Sequence, residues 1–229
     1  MNCIIRESAE FGQDQNSIDR IQKEKDYISY LDNHIAGVKK AYETLFLPLL
    51  SKDFACNNAL FDRDTFRKAI LAIRDIVAKH DDSKWSEYEF EPYRRHWNPT
   101  DEELSRDKYY QQETDELYQN AWIHHYKNND HHPKYWYDFE NNVARDMSLE
   151  AIIHMICDWE SFYINSPSTI PTTVNWWRTD ADEERKFISP KTVSIVDDIL
   201  HILHPEEFDK PNMEDIVKSD NIIVYKDNK

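Results

Sequence analysis

Histidine and aspartate offer the most chemistry in this chain. Ten histidines occur in 229 residues, and seven of them fall between His80 and His154. The sharpest local pattern is His80-Asp81-Asp82-Ser83-Lys84, where an adjacent imidazole and carboxylate at a helix end can put a nitrogen and an oxygen on one cation. Read alone, the dipeptide fits a helix-end hydrogen bond equally well. Further on, the pairs His124-His125 and His131-His132 crowd four imidazoles into nine residues, a costly arrangement unless something binds them. Successive helical residues point about 100° apart, so one member of each pair faces a shared site, and His125 and His132 are the members chosen. The alternative is a solvated polar turn. Asp158 stands among Ile152, Ile153, Met155, Ile156 and Trp159 on a helix with no polar side, so its carboxylate is expected to be buried against a metal, an arginine or a histidine. His154, one turn earlier, reads either as a contact behind the site or as a core histidine.

The elements that must position these groups are helical. Leu31, His34, Ile35, Val38, Ala41 and Leu45 form one stripe of a long helix over 17–50, capped by Ser17, with Gly37 marking a close approach by another helix. Phe66, Ile70, Ile73 and Val77 define a second helix over 64–79, and the next step of that stripe lands on His80. An acidic aromatic stretch over 85–97 precedes a helix over 100–128. A further helix over 148–165 opens at Ser148, a proline-containing break follows over 165–173, and a helix over 190–204 starts with Pro190. Short β-prone runs at 3–5 and 222–225 could pair with each other. The reading is a single all-α domain over 1–229, with a C-terminal extension over 174–229.

Composition excludes several classes. Gly12 and Gly37 are the only glycines, so a phosphate-binding P-loop, a dinucleotide fingerprint and a nucleophile elbow cannot be built. Glycine-poor chains also disfavour turn-rich β folds. With 28 basic and 44 acidic residues, the net charge of −16 opposes broad contact with a nucleic-acid backbone. The three cysteines, Cys3, Cys56 and Cys157, are widely spaced and suit a reducing cytoplasm rather than a disulfide framework. No export signal and no membrane span are expected.

In chain order, the set is His34, His80-Asp81, His125, His132 and Asp158. This order resembles the HD-domain superfamily, whose helical fold gathers a His, a His-Asp pair and a distant Asp around divalent metal. The resemblance covers roughly 17–165. Two extra histidines before the last Asp resemble the binuclear members, and Lys84 matches the Lys of the family pattern HDxGK, with Ser83 in place of its Gly. The second His pair lacks the Gly-Tyr-Pro run of the cyclic-dinucleotide phosphodiesterases. The strings 80–93 and 121–136 also look like an uncharacterised HD-like family of phage and bacterial genomes.

The resemblance implies two divalent ions held by His34, His80, Asp81, His125, His132 and Asp158, and a phosphohydrolase acting on a nucleotide or similar small phosphate ester. Such ions lower the pKa of water and neutralise charge growing on phosphoryl oxygens. Asp81 and Lys84 would be the catalytic pair, Lys84 near the water or a phosphate oxygen. Arg94, Arg95, Lys127 and Lys134 would supply positive potential, while Tyr135, Trp136 and Tyr137 could stack on a base. The same ligand order resembles HD-type di-iron oxygenases. A third reading is a non-enzymatic acidic interaction protein.

Overall fold

The structure is a computed structural model describing residues 15–54, 56 and 60–209. The described residues are mostly helical. One short antiparallel pair, β1 (Tyr137–Asp138) and β2 (Val143–Ala144), sets Tyr137 opposite Ala144 and turns through Asn142, which adopts a positive φ of 55°. The terminal pair expected at 3–5 and 222–225 lies outside the described residues. Within the span read as one domain, the residues cluster into two compact units, one of residues up to 32 with 83–124, the other of 33–82 with 125 onward.

Helix α1 (Gln15–Ala41) contributes to both units. It is described from Gln15, so Ser17 lies inside the helix rather than at its cap. The regular helix also stops nine residues short of the expected end. Pro48 has no N–H for the ladder, and the chain tightens through a π turn (Tyr42–Phe46) and a 3-10 turn (Leu47–Leu50).

In the first unit, Tyr27, Leu31, Tyr93 and Ala121 form a small core. Half of the acidic aromatic stretch is helix α2 of this unit (Phe90–Trp97). The helix expected over 100–128 is two helices, α3 (Asp101–Ser105) and α4 (Lys108–Asn128). Thr100 and Glu103 form a reciprocal capping box for the first. Asp107 restarts the chain, its Oδ1 accepting from the backbone N–H of Tyr109 at 3.1 Å and of Tyr110 at 3.0 Å.

The second unit holds the larger core, where Val38, Phe46, Phe66, Ile70, Ile152, Ile156, Trp177 and Ile199 are buried together. Before α4 in the chain, this unit contains the helices Arg63–Ala72 and Arg74–Val77, which break at Ile73 within the expected 64–79 helix. After it come α5 (Leu149–Asn165), α6 (Thr173–Thr179), a single turn (Asp182–Arg185), α7 (Pro190–Leu203) and a last turn (Pro205–Phe208). Ser148, Thr172 and Ser189 cap α5, α6 and α7 by accepting from the N–H of Ala151, Asn175 and Thr192, contacts worth about 1 kcal/mol each. Gly37 lets α5 approach α1: a Cβ there would stand 2.7 Å from Asn165 Nδ2, which donates to the Asn33 carbonyl at 3.0 Å.

At the end of α7, His204 Nε2 meets the buried Glu160 of α5 at 2.8 Å. Burial opposes the imidazolium, but the bond and charge of Glu160 outweigh it and raise the His204 pKa. A raised folded-state pKa contributes stability that is fully present below the unfolded value, about 6.5, and lost as pH climbs through the folded value. Thermal unfolding should therefore show wild type exceeding His204→Gln by roughly 1 kcal/mol at pH 6 and by less at pH 9. A gap that widens with pH would contradict this assignment.

Candidate metal centre

All the site residues described next belong to the second unit. His34 comes from the apolar stripe of α1. His80 and Asp81 follow the helical turn ending at Val77, and Asp81 takes a φ of 58°, a left-handed conformation rare for a residue with a side chain. Such backbone costs of order 1–3 kcal/mol and persists where surroundings fix it. It redirects the chain four residues after the helix ends at Val77, and His80 and Asp81 both present their heads to one interior. From α5, His154, Asp158 and Ser161 project on one face at helical spacing. His125 comes from the end of α4, and His131 and His132 from the turn after it.

Four donor atoms converge. His34 Nε2 lies 3.1 Å from His80 Nε2, 3.2 Å from Asp158 Oδ1 and 3.7 Å from Asp81 Oδ2. His80 Nε2 lies 3.4 Å from Asp81 Oδ2 and 3.7 Å from Asp158 Oδ1. Ligands at about 2.0–2.2 Å from one ion stand roughly 2.8–3.6 Å apart, so His34, His80 and Asp81 Oδ2, separated by 3.1–3.7 Å, come close to the edge lengths of a coordination shell, with Asp158 Oδ1 beside both imidazoles. The other oxygen of Asp81 faces elsewhere: Oδ1 is 3.3 Å from His125 Nε2 and 3.6 Å from His131 Nε2. Three groups could hold a metal ion, namely His34, His80 and Asp81; Asp81, His125, His131 and His132; and His80, His131 and His154.

Electrostatics favour a cation. Asp81 and Asp158 are 2% and 8% exposed. Burial alone would raise the Asp158 pKa, yet the imidazoles of His34, His80 and His131 outweigh it and hold this carboxyl below its usual range. Burial also pushes His80 down to about 4, and His131 and His154 to about 3, with His132 lowered as well. Those rings are therefore neutral at pH 7, the form that binds metal.

Outer contacts orient the rings. Ser161 Oγ donates to the Asp158 carbonyl at 2.6 Å and lies 3.1 Å from His34 Nδ1. With its one proton committed, the hydroxyl accepts from Nδ1–H, an assignment that leaves His34 Nε2 as a lone pair facing the quartet. His80 Nδ1 lies 2.9 Å from His154 Nε2, which fixes the His80 ring from behind. Nδ1 of His154 and Nε2 of His131 are buried and make no hydrogen bond among the described residues.

His34, His80, Asp81, His125, His132 and Asp158 thus come together, and His131, passed over in favour of His132, joins them. Its signal was the His131-His132 pair itself. A turn does not impose the 100° separation of a helix, so both rings turn inward. His124 instead belongs to the first unit, with Nδ1 2.6 Å from the buried Glu89.

Among the basic residues, Arg94 departs from expectation. Arg94 is fully buried, with Glu91 at 2.9 Å and Glu103 at 2.5 Å, and has no charge to offer a substrate. Burial opposes its charge, but those two carboxylates raise its pKa further. Arg95 is held by Glu91 at 2.9 Å. Lys84 falls in the first unit, its Nζ 5.4 Å from the Tyr93 ring centre. Lys127 is exposed, and Lys134 lies 5.0 Å from the Phe187 ring centre. Trp136, partly buried, packs against the core and donates from Nε1 to the Asp130 carbonyl at 2.7 Å.

A family described as "Family of unknown function (DUF5662)" matches residues 23–202. No curated protein matches the chain, and no solved structure does. No helix of the described residues is long and apolar enough to cross a membrane.

His154→Ala should weaken cation binding about 10- to 100-fold, measured by competition with a chromophoric chelator, while His96→Ala, from the first unit, leaves it unchanged. Equal affinity for His154→Ala and wild type would remove His154 from the account.

Proposed function

This chain belongs to the DUF5662 family, and from its geometry we propose that it is a metal-dependent phosphohydrolase of the HD type, acting on a small phosphate ester through two divalent cations. One observation carries the proposal: the two oxygens of a single buried carboxylate, Asp81, face two different sets of imidazoles. His34, His80, Asp158 and Asp81 Oδ2 would hold the first cation. Asp81 Oδ1, His125, His131 and His132 would hold the second. When bound, such a pair supplies Lewis acidity and a water of lowered pKa.

The chain's own residues do the rest. Asp81 fixes the spacing between the two sets, and its strained backbone keeps the carboxylate from rotating out to solvent. With His80 Nδ1–H donating to His154 Nε2, His80 Nε2 would present a lone pair; with Nδ1–H donating to Ser161 Oγ, His34 Nε2 would do the same. Asp81 and Asp158 are 2% and 8% exposed, so bulk water is largely excluded, which would strengthen charge interactions at a phosphoryl group. Positive potential for an approaching ester comes from the cations together with Lys127 and Lys134. Arg94 contributes none.

The test joins metal analysis to turnover. Protein purified without chelator is assayed with Mn²⁺, Mg²⁺, Co²⁺ or Fe²⁺ against a panel of phosphate mono- and diesters. The expected result is metal-dependent phosphate release that chelation abolishes and that His80→Ala and Asp81→Ala each reduce by at least about 10³-fold, with loss of bound metal. Oxygen uptake without phosphate release would select the di-iron oxygenase instead. Metal-free protein showing no turnover with any cation would leave the interaction-protein reading.

A further inference from the structure

We propose an additional, inhibitory cation site on the side of His80 that faces His154: three imidazoles, His80, His131 and His154, take Zn²⁺, an ion that prefers nitrogen, and in doing so disable the mixed carboxylate and imidazole sets around Asp81. The site stands on its own geometry, and only its inhibitory effect rests on the phosphohydrolase reading. One ring nitrogen of each histidine lies within 4.8 Å of the other two, and the three residues are 1%, 2% and 3% exposed. Their rings pack together, with centres 4.7 Å apart for His80 and His131, 4.4 Å for His131 and His154 and 5.0 Å for His80 and His154. All three belong to the second unit, and each comes from a different segment: the residues after Val77, the turn after α4, and α5.

Donor chemistry decides the ion. Three nitrogens without a carboxylate suit Zn²⁺, whereas Mn²⁺ and Mg²⁺ favour oxygen. The closest pair, His80 Nδ1 and His154 Nε2, stands at 2.9 Å, the length of a hydrogen bond with one proton between the rings. Nitrogen ligands at about 2.0–2.1 Å from a tetrahedral zinc stand roughly 3.3–3.4 Å apart, so the ion replaces that proton once the rings part by a few tenths of an ångström. Nδ1 of His154 makes no hydrogen bond among the described residues, and it can carry the ring's proton while Nε2 offers its lone pair. His131 and His154 also line a cavity of about 440 Å³, where the carboxylates of Asp75 and Asp130 outnumber the ammonium of Lys79 and draw a cation towards two of the three rings. Binding here excludes binding at Asp81, because a neutral imidazole has a single lone pair. His80 held through Nδ1 carries its proton on Nε2, so the quartet with His34, Asp81 and Asp158 loses a donor. His131 is likewise withdrawn from Asp81, His125 and His132.

The experiment titrates Zn²⁺ and Mn²⁺ separately into the metal-free full chain against a chromophoric chelator. Asp81→Asn with Asp158→Asn strips the carboxylates from both mixed sets and leaves the three imidazoles whole. Mn²⁺ affinity should fall at least about tenfold in this double variant, while one equivalent of Zn²⁺ still binds within about threefold of wild type. Adding His154→Ala should then lower Zn²⁺ affinity at least about tenfold. Zn²⁺ lost together with Mn²⁺ in the double variant, or held equally well after His154→Ala, would overturn the site. Zinc-soaked wild-type crystals, measured for anomalous scattering above and below the zinc edge, give the same answer without any variant having to fold. A peak within about 2.0–2.3 Å of ring nitrogens of His80, His131 and His154 is expected, and peaks confined to Asp81 would overturn the proposal. If an ester is hydrolysed, Zn²⁺ added to the Mn²⁺-loaded enzyme should abolish turnover, and undiminished turnover with the three imidazoles filled would overturn the inhibitory role. If none is hydrolysed, the phosphohydrolase falls, and the titrations and the zinc peak decide the site alone.

Discussion

Asp81 and Asp158 are buried in the second unit beside His80 and His131, whose pKa burial lowers, and desolvated carboxylate charge costs several kcal/mol per ion unless something offsets it. The rest of the centre follows from that requirement. His34 and His80 Nε2 lie 3.2–3.7 Å from the carboxylate oxygens and 3.1 Å from each other, a spacing that suits a shared cation. The contacts of Ser161 and His154 suit it, because each lies at the nitrogen of a facing imidazole that is turned away from the quartet.

Three chain features make this constellation possible. The left-handed turn at Asp81, just past the helix that ends at Val77, lets adjacent residues serve one site, and its strain is a sign that the surroundings hold it. Helix α5 carries Asp158, His154 and Ser161 in register, so one rigid element supplies a carboxylate and two orienting contacts. Gly37 brings α1 close to α5, and with it His34 to Asp158. A helical, glycine-poor chain can therefore build a precise site where other folds use flexible loops.

Much of this was legible from local pattern. His34 and His80 stood on apolar stripes, which forces a polar ring inward, and Asp158 sat on a helix without a polar side, so its burial followed from periodicity alone. What escaped depended on contacts distant in sequence or on turn geometry. Arg94 looked like a free cation because nothing local shows that Glu91 and Glu103 enclose it. His131 was passed over by applying helical spacing to a turn. The break before α4 was written in Asp107, whose side chain competes with the helix for backbone N–H groups, and the early end of α1 in Pro48. The two compact units cut across α1 and α4, a division that no composition shift marks.

Crystals soaked in Mn²⁺ and measured for anomalous scattering above and below the metal edge test the central claim most directly. The account predicts two peaks flanking Asp81, one within about 2.0–2.3 Å of His34, His80 and Asp158 and the other beside His125 and the 131–132 pair. A saturated crystal with no peak against Asp81, or with both carboxylates turned away from any ion, would contradict it.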